Sequence, residues 1–152
     1  METLEHVIAE HPFFQGLEPE FANLLVGCAS NARFRAGDYI FREGGPANEF
    51  YLVRKGKVSL EIFAPQREPI MVETLSAGEI LGWSWLIAPY QWKFHARALE
   101  DTLAIVLDGK CLRGKCEQNR DFGYELLKRF VGIITQRLES TRFQLLDVYA
   151  VK

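Results

Sequence analysis

Turn signals recur at short intervals through residues 32–108, and they constrain this chain more than any other feature. They fall at Ala36-Gly37-Asp38, at Gly44-Gly45-Pro46, at Lys55-Gly56-Lys57, at Ser76-Ala77-Gly78 and at Glu100-Asp101. Between them lie short apolar runs with alternating polarity. Tyr51 and Val53 alternate before Gly56, and Val58, Leu60 and Ile62 alternate after it. Short strands broken every 8–12 residues or so predict a β sandwich or barrel rather than a helical bundle. Gly56 suits a turn that needs positive φ.

The flanks read differently. Residues 1–31 have helical spacing, with Leu4, Val7 and Ile8 on one side, a stop at Pro12, and Leu24 and Leu25 on the apolar side of a second stretch. Residues 109–150 are helical again. A long helix is predicted from Asn119 or Asp121, either of which can cap it, to about Tyr149. It carries two apolar faces. Leu127, Val131, Ile134, Leu138, Thr141, Leu145 and Val148 form a heptad seam; Phe122, Leu126, Phe130 and Ile133 form a second face that diverges from it. One face can cover the chain's own sheet while the other meets a partner helix, so a homodimer through this helix is expected.

Composition narrows the function classes. The chain has 152 residues, 48% apolar and 25% charged, with a formal net charge of −2. One domain spanning 1–152 is expected, with no general attraction to nucleic acid or to an anionic membrane surface. No apolar run is long enough for a membrane span. The N-terminus has no signal-peptide h-region, so a cytoplasmic location is expected. The three cysteines, Cys28, Cys111 and Cys116, are an odd and unclustered set. They are expected to be reduced thiols, with no zinc or iron–sulfur site. His95 is read as a surface residue rather than a haem ligand, and Glu49, Glu73 and Glu79 as loop and strand-end residues. No nucleophile–base pair or paired carboxylates stand at a motif spacing, so no enzyme activity is expected.

The order of elements, together with FRAGDYIFREGGPANEFYLVRKGKVSLEIF, LSAGEILG and ARALEDTLAIVLD, resembles the cyclic-nucleotide-binding domain family. That implies a mainly β fold, a β-roll or jelly roll with N-terminal helices and a long C-terminal helix. The segment around Arg137, ITQRLES, resembles the dimer helix of catabolite-activator-like regulators. Those regulators continue into a helix-turn-helix module. This chain stops at Lys152, so DNA binding by it is not expected.

The resemblance also locates a ligand site, in the stretch that holds all three tryptophans. In the family, this cassette holds a cyclic nucleotide's phosphate with backbone N–H groups and an arginine, and its ribose with a glutamate. Gly78, Glu79 and Gly82 match its first part, with Ile80 and Leu81 as the two residues between them. The glutamate position falls on Trp83, followed by Ser84; the arginine position falls on Trp92, followed by Lys93. Alternation turns Trp92, Phe94, Ala96 and Ala98 to one side, and Lys93, His95 and Arg97 to the other.

Losing both polar anchors puts about 3–6 kcal/mol at stake, or two to four decades of affinity. Cyclic AMP or cyclic GMP binding in the usual way is therefore not expected. Three readings stay open. The indoles plug a vestigial cavity in a structural or interaction module, or they form a cage for an unidentified small molecule that is flat, apolar or cationic. The third is a true nucleotide receptor with a rearranged site, in which Lys93 or Arg97 replaces the missing cation. Ser84 is a candidate ligand donor or helix cap. A regulatory role, in which pocket occupancy shifts the C-terminal helix and a protein partner reads the shift, completes the expectation.

Overall fold

A computed structural model describes residues 3–63, 65–66 and 68–150. Two short helices come first, α1 (Leu4–Glu10) and α2 (Pro19–Val26), with a 3-10 turn at Pro12–Phe14 between them. Eight strands follow: β1 (Ala29–Phe34), β2 (Tyr39–Phe41), β3 (Glu49–Lys55), β4 (Lys57–Ile62), β5 (Ile70–Ser76), β6 (Ile80–Leu81), β7 (His95–Ala98) and β8 (Thr102–Asp108). A 3-10 turn at Ser84–Leu86 separates β6 from β7, and the helices α3 (Gly109–Gln118) and α4 (Arg120–Ala150) end the chain. The strands form two four-stranded antiparallel sheets, in the orders β1-β8-β3-β6 and β2-β7-β4-β5. This is the expected β-roll with flanking helices, with strand structure beginning at Ala29 rather than after residue 31.

Gly56, at φ +108°, is the corner between the sheets. β3 pairs with β6 and β8, while β4 pairs with β5 and β7, so the chain changes sheet at this turn. A Cβ on Gly56 would lie 2.8 Å from the Asp101 carbonyl oxygen, which excludes a side chain there as firmly as the dihedral does.

The first sheet is covered on both faces. Phe50 and Leu52 of β3, with Ile105 and Leu107 of β8, pack against Phe13, Phe14, Leu25, Phe122, Leu126 and Phe130 of the helical layer. Tyr51 and Val53, with Ala104, point into the roll against Val58, Leu60, Leu75 and Ala96. Double burial explains the unbroken apolar run Phe50–Val53. Val58 and Leu60 are buried in the roll, but Ser59 and Glu61 between them are buried too, and Ile62 is exposed, so burial along β4 does not alternate.

α4 divides as its two faces predict. Asn119 caps it, its Oδ1 accepting from the Phe122 N–H at 3.1 Å. Phe122, Leu126 and Phe130 are buried, and Ile133 packs at the edge of the same core. The seam residues Leu127, Val131, Ile134, Leu138, Leu145 and Val148 stand exposed. Among the described residues, no helix is long and apolar enough to cross a membrane.

The cysteine expectation is overturned. Cys28 and Cys111 are disulfide-bonded across 83 positions. The register Ala29↔Leu107 brings the end of α2 beside the start of α3, and the Asp108 N–H donates to the Cys28 carbonyl at 2.9 Å. Asp108 then caps α3 through the Cys111 N–H, which seats that thiol next to Cys28. Cys116 is free; burial first, and the charge of Glu117 second, push its thiol up and leave it a weak nucleophile.

His11 joins the helices to the roll. It is buried at 6% exposure, with Nε2 at 3.3 Å from the Val53 carbonyl and Nδ1 accepting from the Phe13 N–H at 3.3 Å. Only a neutral ring with its proton on Nε2 satisfies both contacts. Burial lowers its pKa from the ordinary 6.5, opposed by the Val53 contact. The unfolded chain therefore takes up the proton first, and the stability present above about pH 6.5 declines as the pH falls through that value. Urea midpoints measured from about pH 7.5 down to about pH 5.5 should fall more steeply for the native chain than for His11→Gln; equal slopes would remove His11 as the cause.

Candidate functional site

The cassette begins as a tight turn. Gly78 adopts φ +92° and its N–H donates to the Val53 carbonyl at 2.9 Å. The Glu79 carboxylate folds back onto the same turn and accepts from the Ser76 N–H at 2.6 Å. Ile80 and Leu81 are fully buried on opposite faces of β6, one toward the helices and one inside the roll. Gly82 follows at φ +97°.

Trp92 lies inside the roll. It is 4% exposed, its ring parallel to Phe41 with centroids 3.7 Å apart and planes 8° off parallel. The bare Cα of Gly82 also lies against its six-membered ring, where an added Cβ would stand 2.7 Å from the indole Cζ3 and Cη2. The loop carrying Gly44 and Gly45 is zipped to the same residue. Gly44 N–H donates to the Trp92 carbonyl at 2.8 Å, and Trp92 N–H donates to the Gly45 carbonyl at 3.0 Å. The indole packs against Phe41 and Gly82, at the sequence position to which the family resemblance assigns the cassette's arginine.

Trp83 does something different. It is half-buried and belongs to the edge of the helical core, with its ring edge-on to Phe94 at 6.4 Å. Its face is covered by Arg137 of α4, whose guanidinium carbon sits 4.9 Å from the ring centroid. Trp83 and Arg137, with Leu60, Ile62, Val72, Glu73, Phe94, Ile134, Leu138 and Thr141, line an open hollow of about 230 Å³ between the second sheet and α4. Trp85 is pure core: it is fully buried, stacked on Phe50 at 5.1 Å and edge-on to Phe130.

Neither proposed substitute cation reaches the pocket. Lys93 is exposed, as the alternation requires. Arg97 points to the outer face of the second sheet and forks onto Glu61 Oε2 at 3.2 and 2.8 Å, an oxygen that also accepts from the Ser59 hydroxyl at 2.7 Å. Burial raises the Glu61 pKa, but the Arg97 and Ser59 contacts outweigh it and hold this carboxyl below its usual range. His95 shares this outer face, with its ring 4.0 Å from Phe63. Ser84 is the first residue of its 3-10 turn; Trp83 occupies the cap position, without a side-chain cap bond.

Arg137 is the cation that lines the hollow, and the cassette alignment does not include it. Its Nη2 donates to the Ile80 carbonyl, and its Nε lies 3.6 Å from Glu73. The available signal is a lone arginine in the stripe Ile134-Arg137-Thr141, one helical face in an otherwise apolar setting. Burial lowers the Arg137 pKa, opposed by Glu73 and Glu79; burial also raises that of Glu73. Both charges are held at a cost in solvation.

The comparisons agree with the geometry. Residues 32–119 match the family model "Cyclic nucleotide-binding domain". A CRP-like cAMP-activated global transcriptional regulator of Mycobacterium tuberculosis is 23% identical over 145 residues, covering 95% of this chain. The chain spans 63% of that regulator's length. A Geobacter metallireducens structure assigned to cyclic nucleotide binding superposes with a TM-score of 0.78 at 27% identity, over 91% of this chain and 99% of that one. A cyclic nucleotide-binding domain from Methylobacillus flagellatus, at 19% identity, shares the fold with a TM-score of 0.82 over 94% of this chain and 83% of its own. This chain belongs to the cyclic nucleotide-binding domain family.

The two pocket tryptophans should separate in stability. Trp92→Ala empties an enclosed slot and should cost about 3–5 kcal/mol in chemical denaturation. Trp83→Ala, at the open hollow, should cost about half of that or less. Equal losses would contradict the division of roles.

Proposed function

We propose that this member of the cyclic nucleotide-binding domain family is a non-enzymatic sensory or regulatory domain that does not hold cyclic AMP or cyclic GMP in the family's usual way. The observation that carries the reading is Trp92, whose indole occupies the slot between Phe41 and Gly82. A phosphate entering there would have to displace a buried ring and would find neither Lys93 nor Arg97 to pair with. The Trp83 position supplies no ribose acceptor either.

The roll retains the hollow beside Trp83, and this is the candidate sensing pocket. Its walls are largely apolar, and its polar members are Glu73, Arg137 and Thr141. Such a lining suits a compact, mostly apolar molecule better than a purine nucleotide with ribose and phosphate to satisfy. The cationic option for an aromatic cage loses support, because the chain's own Arg137 covers the Trp83 face. The plug reading fits Trp92 and the ligand-wall reading fits Trp83.

The output element is α4, which we read as the helix of a homodimer. Beyond Phe130 no residue of the helix is fully buried, while Val131, Leu138, Leu145 and Val148 stay exposed at heptad spacing. Ile134, Leu138 and Thr141 belong to that seam and also line the hollow. Pocket occupancy and helix pairing therefore involve the same side chains.

Titration with cyclic AMP and cyclic GMP, followed by tryptophan fluorescence and calorimetry, should show no saturable transition below about 1 mM. A micromolar transition would establish a rearranged nucleotide receptor instead. Sedimentation equilibrium should give a dimer that Leu145→Asp, remote from the hollow, converts to a monomer. An unchanged mass would eliminate α4 pairing.

A further inference from the structure

We propose that the hollow takes a small amphipathic monoanion: one carboxylate on a single aromatic ring or short alkyl chain, its head on Arg137 and its body against Leu60, Phe94 and Leu138. This rests on the reading of the hollow as the domain's ligand pocket, and adds the ligand's chemistry.

Arg137 is an incompletely satisfied cation in an apolar wall. Its side chain is 11% exposed. It has a main-chain acceptor at Ile80 and a contact to Glu73 at 3.6 Å, too long for a good charge-assisted bond. Its Nη1 is buried and has no hydrogen-bond partner among the described residues. A buried guanidinium donor left without an acceptor is costly, and a carboxylate is the group that its fork matches.

Glu73, whose side chain is 28% exposed, competes for the same cation from the rim. An incoming carboxylate takes over the Arg137 contact, and Glu73 turns to water. The opposite ligand charge is disfavoured on the Trp83 face, where Arg137 already lies over the ring. Size sets the body of the ligand. A cavity of about 150 Å³ accepts benzene, so about 230 Å³ holds one ring or a short chain with a small head group.

The probes are benzoate and octanoate, each paired with its neutral amide, benzamide or octanamide. Binding to the full chain is followed by calorimetry and by the Trp83 indole N–H signal in NMR. Both acids should bind saturably and at least about tenfold more tightly than their amides. Arg137→Gln should erase that preference. Glu73→Gln should strengthen acid binding by removing the competing carboxylate. Equal affinity of acids and amides for the native chain would overturn the charge assignment while leaving the hollow a ligand pocket. Binding of neither would remove the hollow as a pocket for this class, and with it this proposal; the nucleotide titration and the dimer measurement judge the broader reading separately. If Arg137→Gln fails to fold, the acid–amide comparison on the native chain and on Glu73→Gln decides the matter.

Discussion

Strand β3 presents Phe50 and Leu52 to the helices and Tyr51 and Val53 to the roll interior, and the placement of the site follows from that double burial. Even a sheet with one wet face resists a one-residue slip, which would carry its buried set to solvent. Here a one-residue slip would exchange the helix-facing and roll-facing sets, replacing aromatic rings by smaller groups on one side and crowding the other. The register is therefore fixed, and with it the exit of β8 into α3 and α4. The Cys28–Cys111 bond and the His11 contact to Val53 fasten the same seam from its two ends.

Given a fixed frame, the ligand site is decided by which side chains occupy its corners. A cassette with an arginine and a glutamate keeps a polar, hydrated corner that an anion can enter. Replacing both by indoles changes the local physics. Trp92 finds Phe41 at stacking distance and Gly82 without a Cβ, so the slot closes with dispersion contacts in place of charge pairing. Trp83 has no comparable slot, and it remains at the edge of an opening that α4 only partly covers. Two substitutions of the same type thus have opposite outcomes, one sealing a compartment and the other lining one.

Much of the roll was legible in the sequence because turns and alternation are local. Gly37, Gly44, Gly56 and Gly78 all take positive φ, and the inward set Trp92, Phe94, Ala96 and Ala98 is buried except for Phe94, which is half-buried. The two faces of α4 were legible for the same reason. What escaped was set by distant pairing. Cys28 and Cys111 are 83 positions apart and meet only through the β1–β8 register. Arg137 reads as part of a dimer-helix motif, and nothing within its helix says that its head turns to the Ile80 carbonyl, 57 positions earlier in the chain. Lys93 lies beside Trp92, and Arg97 on β7 is close to it in sequence; the guanidinium at the hollow comes instead from α4.

That displacement of the cation has a mechanical consequence. An arginine at position 92 would be held by the Gly44–Gly45 loop at the roll, and ligand occupancy would reach the long helix only indirectly. On α4 the cation moves with the helix, and Ile134, Leu138 and Thr141 beside it line the hollow and also belong to the seam of the proposed dimer. A ligand affects a conformational equilibrium only by binding its states with different affinity. A group that contacts Arg137 and Leu138 meets that condition directly, because any rotation of α4 that repacks the seam also moves the guanidinium relative to Trp83 and Glu73.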